Sequence, residues 1–442
     1  MSVVDGAKDG TKGRAAGATR RGLLAATAGL LVSACARGPG AAADAPPAAG
    51  EQARSRSEPF FGEHQGGILT PAQVHTYFAA FDLVAEKREE VIALLRRWTD
   101  AAARMCAGQP SGTLVAEAQE SGAYGASVAD SGDALGLPPS RLTITFGFGA
   151  GLFSKDGKDR YGLAGQRPAA LVDMPAFPGD QLVEARSGGD LSVQACADDP
   201  QVAFHAVRQL ARLAEGVAAL RWVQAGFVAD FGAGATPRNL MGFKDGTGNP
   251  ATDDQEMMAR VVWVGQEGPA WMRGGSYVVA RRSRIALEHW DRMPTAFQEQ
   301  TFGRRKESGA PLGKQRESDP VELELNDQDG NPVIPENSHV RLAHHASNDG
   351  ARILRRSYSY NDGVNIVAER WPPWHQGLEY DAGLLFIGYQ RDPRTGFIQI
   401  FDRMSRFDMM NQFVTNTGSG LFACPPGIAS GEYLGQRLFQ GA

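Results

Sequence analysis

A strand, an Asp-Pro step and an amphipathic helix occur twice in this chain, and the duplication limits the folds open to it. Asp199-Pro200-x-x-x-Phe204 follows the strand-like run Leu191-Ser192-Val193-Gln194-Ala195, and Asp392-Pro393-x-x-x-Phe397 follows Leu384–Tyr389. Asp suits a helix N-cap and Pro the first helical position, so both sites predict a strand-to-helix junction. After the first, Ala203, Val207, Leu210 and Ala214 fall on one helical face. Upstream, Val84, Val91, Leu94, Leu95 and Trp98 share another helical face. Leu142, Ile144, Phe146 and Phe148 alternate with Thr143, Thr145 and Gly147 as a half-buried strand. In the second half, Ser276–Ala280 reads as a strand leading into a helix through Trp290, and Arg355–Tyr360 as another strand. This order predicts an α+β protein made of two β-α-β-β-α-β units, each an antiparallel sheet with helices on one face.

The first 57 residues read as an address and a disordered linker rather than as part of either unit. Lys12, Arg14, Arg20 and Arg21 precede the apolar run Gly22–Ser33, whose twelve residues match a signal h-region and fall short of a membrane span. Thr19-Arg20-Arg21-Gly22-Leu23-Leu24 looks like a twin-arginine export signal, and Ala/Gly/Pro-rich sequence without periodicity follows to Gly50. Export predicts a periplasmic or extracellular protein, or a lipoprotein on the outer face of the membrane. Two readings of the processing site stand. Val32-Ser33-Ala34-Cys35 resembles a lipoprotein box in which Cys35 carries a lipid anchor, whereas cleavage near Ala41–Ala45 releases a soluble product. The twin-arginine route carries folded proteins, often with a cofactor already inserted. The remaining chain divides into residues 58–235 and 236–442.

Composition narrows the partners. Forty-five basic and fifty acidic residues leave a net charge of -5, which argues against nucleic acid. The mature part keeps Cys106, Cys196 and Cys424, widely spaced and without a CxxC pair, so buried thiols are expected rather than a metal or disulfide framework.

The chemistry-bearing residues lie in the second half. Asn239–Pro250 is too rich in glycine for a helix or strand, and its glycines fit neither the Walker nor the GxGxxG spacing. Its backbone can turn and approach a ligand closely, while Asp245 standing alone reads as an Asx-turn residue. His339 follows a turn at residues 331–336, and a single histidine is most often structural. His344 and His345 invite a metal reading, yet H-x4-H-H does not match zinc patterns. In the strand Arg355–Tyr360, Arg355, Ser357 and Ser359 take one face and Arg356, Tyr358 and Tyr360 the other. Alone, Arg355 would be a strand-edge or salt-bridge arginine.

Together these residues carry a resemblance. Gly242-x-x-Asp245-Gly246, then His339, then Arg355-Arg356, resembles the signature of dye-decolorising (DyP-type) haem peroxidases, closest to the exported deferrochelatase/peroxidase branch of the Efe iron-uptake system. Supporting stretches are Pro59–Ile68, Phe302-Gly303-Arg304, Gly309–Gly313 and Gly383-Leu384-Leu385-Phe386, so the likeness covers about residues 58–435. It implies two ferredoxin-like domains, each with a four-stranded sheet, and one haem b in the second.

Carried over, His339 becomes the proximal axial ligand of the haem iron, and Asp245 and Arg355 the distal pair. Gly246, Thr247 and Gly248 line the haem edge, His344, His345 and Ala346 flank it, and Arg304 pairs with a propionate. Asp408 is the candidate hydrogen-bond partner of the proximal imidazole. Ser357 departs from branches with a distal Asn at that position. The implied reaction is oxidation of bulky aromatic or dye-type donors by hydrogen peroxide through a ferryl intermediate. Tyr389, Trp371 and Trp374 are candidate electron relays, and a homodimer is a candidate assembly. Cleaving peroxide calls for a base that moves a proton and a cation that offsets developing charge, which Asp245 and Arg355 supply. A carboxylate base also suits acidic conditions. The alternative is a deferrochelatase that removes iron from haem and leaves the porphyrin intact. A non-enzymatic haem carrier would not need the Asp245–Arg355 pair.

Overall fold

The computed structural model describes residues 55–114, 129–229, 235–368 and 376–441. The export signal, Cys35, Trp371 and Trp374 lie outside the described residues. In the first half the strands are β1 (His75–Leu83), β2 (Thr143–Phe148), β3 (Leu191–Ala197) and β4 (Ala218–Phe227). Helix α1 (Arg88–Cys106) joins β1 to β2, and α2 (Pro200–Leu213) joins β3 to β4. Asp199 caps α2 as expected, accepting from the Gln201 and Val202 amides, with Pro200 at the first helical position. The strand order is β2-β3-β1-β4.

The second half repeats this plan with β5 (Ser276–Ile285), β7 (Tyr358–Ala368), β8 (Gln376–Gln390) and β9 (Val414–Cys424), ordered β9-β5-β8-β7. A two-residue strand, β6 (Leu354–Arg355), pairs with β8 just ahead of β7. Both halves therefore have the ferredoxin-like order that the duplication predicts.

The two sheets are also joined, which the sequence did not announce. Phe148 of β2 pairs with Ala423 of β9, and Phe227 of β4 pairs with Ser359 of β7. With β5 paired to β8, the eight long strands close into a ring and their edges are covered. Phe78, Cys196, Tyr358, Leu385, Tyr389 and Phe422 from both sheets pack together between them. On the other face of the first sheet, Trp98 of α1 and Leu210 of α2 pack against Phe81 and Phe146.

This arrangement corrects several expectations. The run 143–148 is buried at every position, because helices cover one face of β2 and the second sheet the other. Val84 lies outside α1 and is 54% exposed. Strand β5 continues past Ala280 to Ile285, and the helix after it, α3 (Leu287–Trp290), is one turn. The expected strand Arg355–Tyr360 is interrupted at Arg356 and Ser357, although the two faces alternate as read. The second Asp-Pro does not start a helix. Asp392 accepts the Gly396 amide through its carbonyl and pairs with Arg394, so α5 (Phe397–Phe407) begins after Gly396.

Cys106, Cys196 and Cys424 are buried free thiols, and burial pushes the Cys106 thiol up to about 12. Tyr389 is fully buried and donates to Gln194 Oε1 at 2.6 Å, so it is an interior residue rather than a surface relay. Among the described residues no helix is long and apolar enough to cross a membrane.

Candidate active site

Between α5, the short helix α4 (His339–Ala343), strands β5, β6 and β8 and the loop 239–250 lies a cavity of about 470 Å³. The loop is anchored from below. Phe243 is 1% exposed, stacks on Phe302 with ring centroids 3.9 Å apart, and meets the edge of Trp290. Met241 enters the same apolar cluster, so the intervening Gly242 and the following Lys244 turn outward. Arg238 bridges to Lys244 and donates to the Gly242 carbonyl at 2.8 Å. Gly246 has φ +117, a backbone conformation in which a side chain would be strained. This carries Asp245 to the cavity wall.

Arg355 reaches the same wall from β6, and its Nη1 donates to Asp245 Oδ1 at 3.1 Å. Asn249 ties the two segments together. Its Nδ2 donates to the Arg355 carbonyl at 2.6 Å, and its Oδ1 accepts the Arg355 amide at 3.0 Å. One side chain thus satisfies both backbone groups of the arginine at the point where the strand is interrupted. Asn249 was not singled out in the sequence. Its position beside Gly248 and Pro250 was a signal, but the partner 106 residues away was not.

His339 opens α4, and its Nδ1 lies 2.7 Å from Asp408 Oδ2. Asp408 ends α5, its side chain is 2% exposed, and its Oδ1 accepts the Met410 amide at 2.8 Å. A buried carboxylate accepting from Nδ1–H fixes the tautomer in which Nε2 carries a lone pair. His339 lines the cavity, and nothing among the described residues hydrogen-bonds its Nε2.

Arg304, Thr247, Gly246, Gly248, His344 and His345 also line the cavity, whereas Ala346 does not. Ala346 is exposed in a one-turn helix, His345–Ser347, that leads the chain outward, and its amide donates to His344 Nδ1 at 3.2 Å. Glu317, also missed, accepts from Thr247 Oγ1 at 2.9 Å and pairs with Lys244. Burial raises its carboxyl, but hydrogen bonds from Lys244, Thr236 and Thr247 outweigh this and hold it below the usual range. Among the described residues no three His, Cys, Asp or Glu side chains converge as a metal site.

A single oriented imidazole in a large, mostly apolar cavity suits an iron porphyrin better than a bare metal ion. Ile353, Phe386, Phe401 and Met404 offer flat apolar contact. A Cβ on Gly246 would stand 3.9 Å from its nearest neighbour, and one on Gly248 would meet nothing within 4 Å. Backbone at both positions therefore leaves room for a flat group.

Residues 65–228 match the family model described as Dyp-type peroxidase, N-terminal, and residues 236–429 the model described as Dyp-type peroxidase, C-terminal. The chain belongs to the DyP-type peroxidase family. It is 40% identical over 394 residues to the dye-decolorizing peroxidase of Thermobifida fusca, covering 85% of this chain and 84% of that protein. It is 36% identical over 410 residues to the deferrochelatase of Escherichia coli K12, covering 90% of each. Among solved structures, the DyP-type peroxidase of Streptomyces coelicolor and ferric DtpA of Streptomyces lividans each show 42% identity and a TM-score of 0.79. Each comparison covers 90% of this chain and 100% of the other. The protein is a haem-binding peroxidase of the α+β DyP fold.

Proposed function

We propose that the protein uses hydrogen peroxide to oxidise bulky aromatic, dye-type donors, with haem held through His339 and peroxide handled by Asp245 and Arg355. The observation that carries this reading is the Asp245–Arg355 contact of 3.1 Å on the wall of the cavity that His339 also lines. Haem, when bound, would supply a redox-active iron and the electrons needed for O–O cleavage. The protein's part is to move a proton and to offset charge. Asp245 takes a proton from one peroxide oxygen and delivers it to the other, which leaves as water. The Arg355 guanidinium stabilises negative charge on the departing oxygen. The Asn249 clamp holds the guanidinium within reach of the carboxylate throughout. Asp408 keeps the His339 lone pair directed at the metal and strengthens it as a donor.

The alternative activity, removal of iron from haem, uses the same cavity, and the likeness to the Escherichia coli deferrochelatase supports it. One assay separates the two: incubation with haem, with and without peroxide, reading dye oxidation and iron-free porphyrin together. Peroxide-dependent dye oxidation without free porphyrin is expected. Release of porphyrin without dye turnover would reverse the assignment.

The same reading has the protein working outside the cytoplasm, supported by Arg20-Arg21 ahead of twelve apolar residues. Replacing Arg20 and Arg21 together by Lys should retain the protein in the cytoplasm. Labelling with a radioactive fatty acid, abolished by Cys35→Ala, would mark the lipid-anchored form.

A further inference from the structure

The stretch that carries Asp245 has little to hold it in place from within. Gly242 and Gly246 flank the residue at φ +86 and +117, where the backbone is freest. Asn249 secures the Arg355 side of the distal pair. The Asp245 side is secured by a carboxylate that takes no part in the proton transfer described above. Glu317 Oε1 accepts from the Thr247 hydroxyl at 2.9 Å and from the Thr236 hydroxyl, and its Oε2 pairs with Lys244. Two of these partners precede Asp245 and one follows it, so a single side chain grips the loop on both sides of the residue it presents.

Glu317 is itself fixed. Its carbonyl accepts from Arg304 Nη1 at 3.3 Å, and the same nitrogen donates to the Gly309 carbonyl at 2.7 Å. Asp319 closes a turn around it. One oxygen accepts the Arg316 amide at 2.9 Å and the Gln315 amide at 3.2 Å, and the other pairs with Arg316 Nε at 3.0 Å. Gly309 leaves room for the contact, because a Cβ there would stand 2.7 Å from Lys244 Cδ and 3.4 Å from Glu317 Cγ. None of these contacts involves His339, Asp408 or Arg355. The grip therefore bears on the distal carboxylate and leaves the proximal imidazole alone.

We propose that Glu317 is a positioning residue for the peroxide reaction: by holding Thr236, Lys244 and Thr247 it fixes the point from which the Asp245 carboxylate takes and returns its proton. The inference rests on the reading of Asp245 as the group that moves the peroxide proton. A base must stay within hydrogen-bond reach of that proton, and a displacement of about 1 Å can cost about 100-fold in rate.

The test is a double-mutant cycle in haem-loaded protein, read by stopped-flow mixing with hydrogen peroxide. Glu317→Gln keeps the shape and loses the charge that holds Lys244. It should retain the Soret band of bound haem and react about tenfold more slowly than wild type. In an Asp245→Asn background the same change should have little further effect, because a residue acting through Asp245 then has nothing to act on. Thr236→Val removes one contact at a residue that does not line the cavity, and should slow the reaction by a smaller factor, again only while Asp245 is present. Hydrogen exchange followed by mass spectrometry gives a readout apart from turnover. Glu317→Gln should speed exchange in peptides covering 239–250, where the Asp245 and Asn249 amides donate to the Pro237 and Gly246 carbonyls at 2.8 and 2.9 Å, and should leave α4 unchanged. Equal slowing by Glu317→Gln in both backgrounds would overturn the proposal. So would a wild-type rate in Glu317→Gln, or loss of bound haem in Glu317→Gln and Thr236→Val alike. If Asp245→Asn alone reacted at the wild-type rate, the reading of Asp245 would fail first, which is a separate result.

Discussion

Replacing Asp408 by Asn should harm haem binding more than replacing it by Ala, although Asn keeps the shape. In the native protein Oδ2 accepts from His339 Nδ1 at 2.7 Å while Oδ1 accepts the Met410 amide at 2.8 Å. Asn has one acceptor oxygen for these two donors. If that oxygen keeps the Met410 amide, the Asn NH2 faces Nδ1, which must then become an acceptor, and the imidazole proton moves to Nε2. That proton occupies the lone pair the iron needs. With Ala the imidazole loses its partner but remains free to choose its tautomer. Outer partners of metal-bound histidines are generally worth 10–100-fold in affinity. Ala belongs near the lower limit, about 1.4 kcal/mol, and Asn near the upper, about 2.7 kcal/mol. Titrating apoprotein with haem and following the Soret band measures both, with the thermal midpoint of each apoprotein as a control for folding. Both variants should also raise the ferric/ferrous potential, because the ligand becomes a weaker donor. Asn binding haem as tightly as wild type, or more tightly than Ala, would refute the tautomer argument.

Other consequences are more local. Asn249→Leu should slow the reaction with peroxide while leaving the Soret band of bound haem in place, because Arg355 loses both backbone partners. Asn249→Asp, which can still accept the Arg355 amide, should recover part of the rate in stopped-flow mixing. Phe302→Ala removes the ring stacked on Phe243, whose centroid lies 6.0 Å from that of His339, and should cost about 3–5 kcal/mol in denaturant unfolding. An effect below 1 kcal/mol would show that this cluster does not support the loop. The folded-state pKa values of His344 and His345 lie below the ordinary 6.5, so as pH falls through about 6.5 the unfolded chain takes up protons first. The apoprotein should therefore lose stability below that pH, and His344→Gln should flatten the loss in thermal melts.

The duplicated plan was legible because it rests on local pattern. Strand alternation and helix faces recur in order, and Asp199 caps its helix as read. The second junction failed because Pro393-Arg394-Thr395-Gly396 closes a turn before Phe397, a choice that the Asp-Pro pair cannot reveal. Ring closure was hidden because it depends on two isolated residue pairs, Phe148 with Ala423 and Phe227 with Ser359. At the site, Asp245, His339 and Arg355 were ordinary residues until their order evoked a family. The structure adds what order cannot carry: the Asn249 clamp and the Glu317–Lys244 pair. Each is a contact between segments far apart in sequence. Asp408, 69 residues from His339, was marked by the family resemblance and by no local pattern; the structure sets its Oδ2 2.7 Å from His339 Nδ1.

The central claim is that the Asp245–Arg355 pair activates peroxide at a haem held by His339. Stopped-flow mixing of haem-loaded protein with hydrogen peroxide, reading the second-order rate of the Soret change, tests it most directly. Arg355→Leu should keep its haem and react at least about 100-fold more slowly than wild type, the scale of losing one preorganised electrostatic group. An Arg355→Leu protein that is fully haem-loaded and reacts at the wild-type rate would contradict the account.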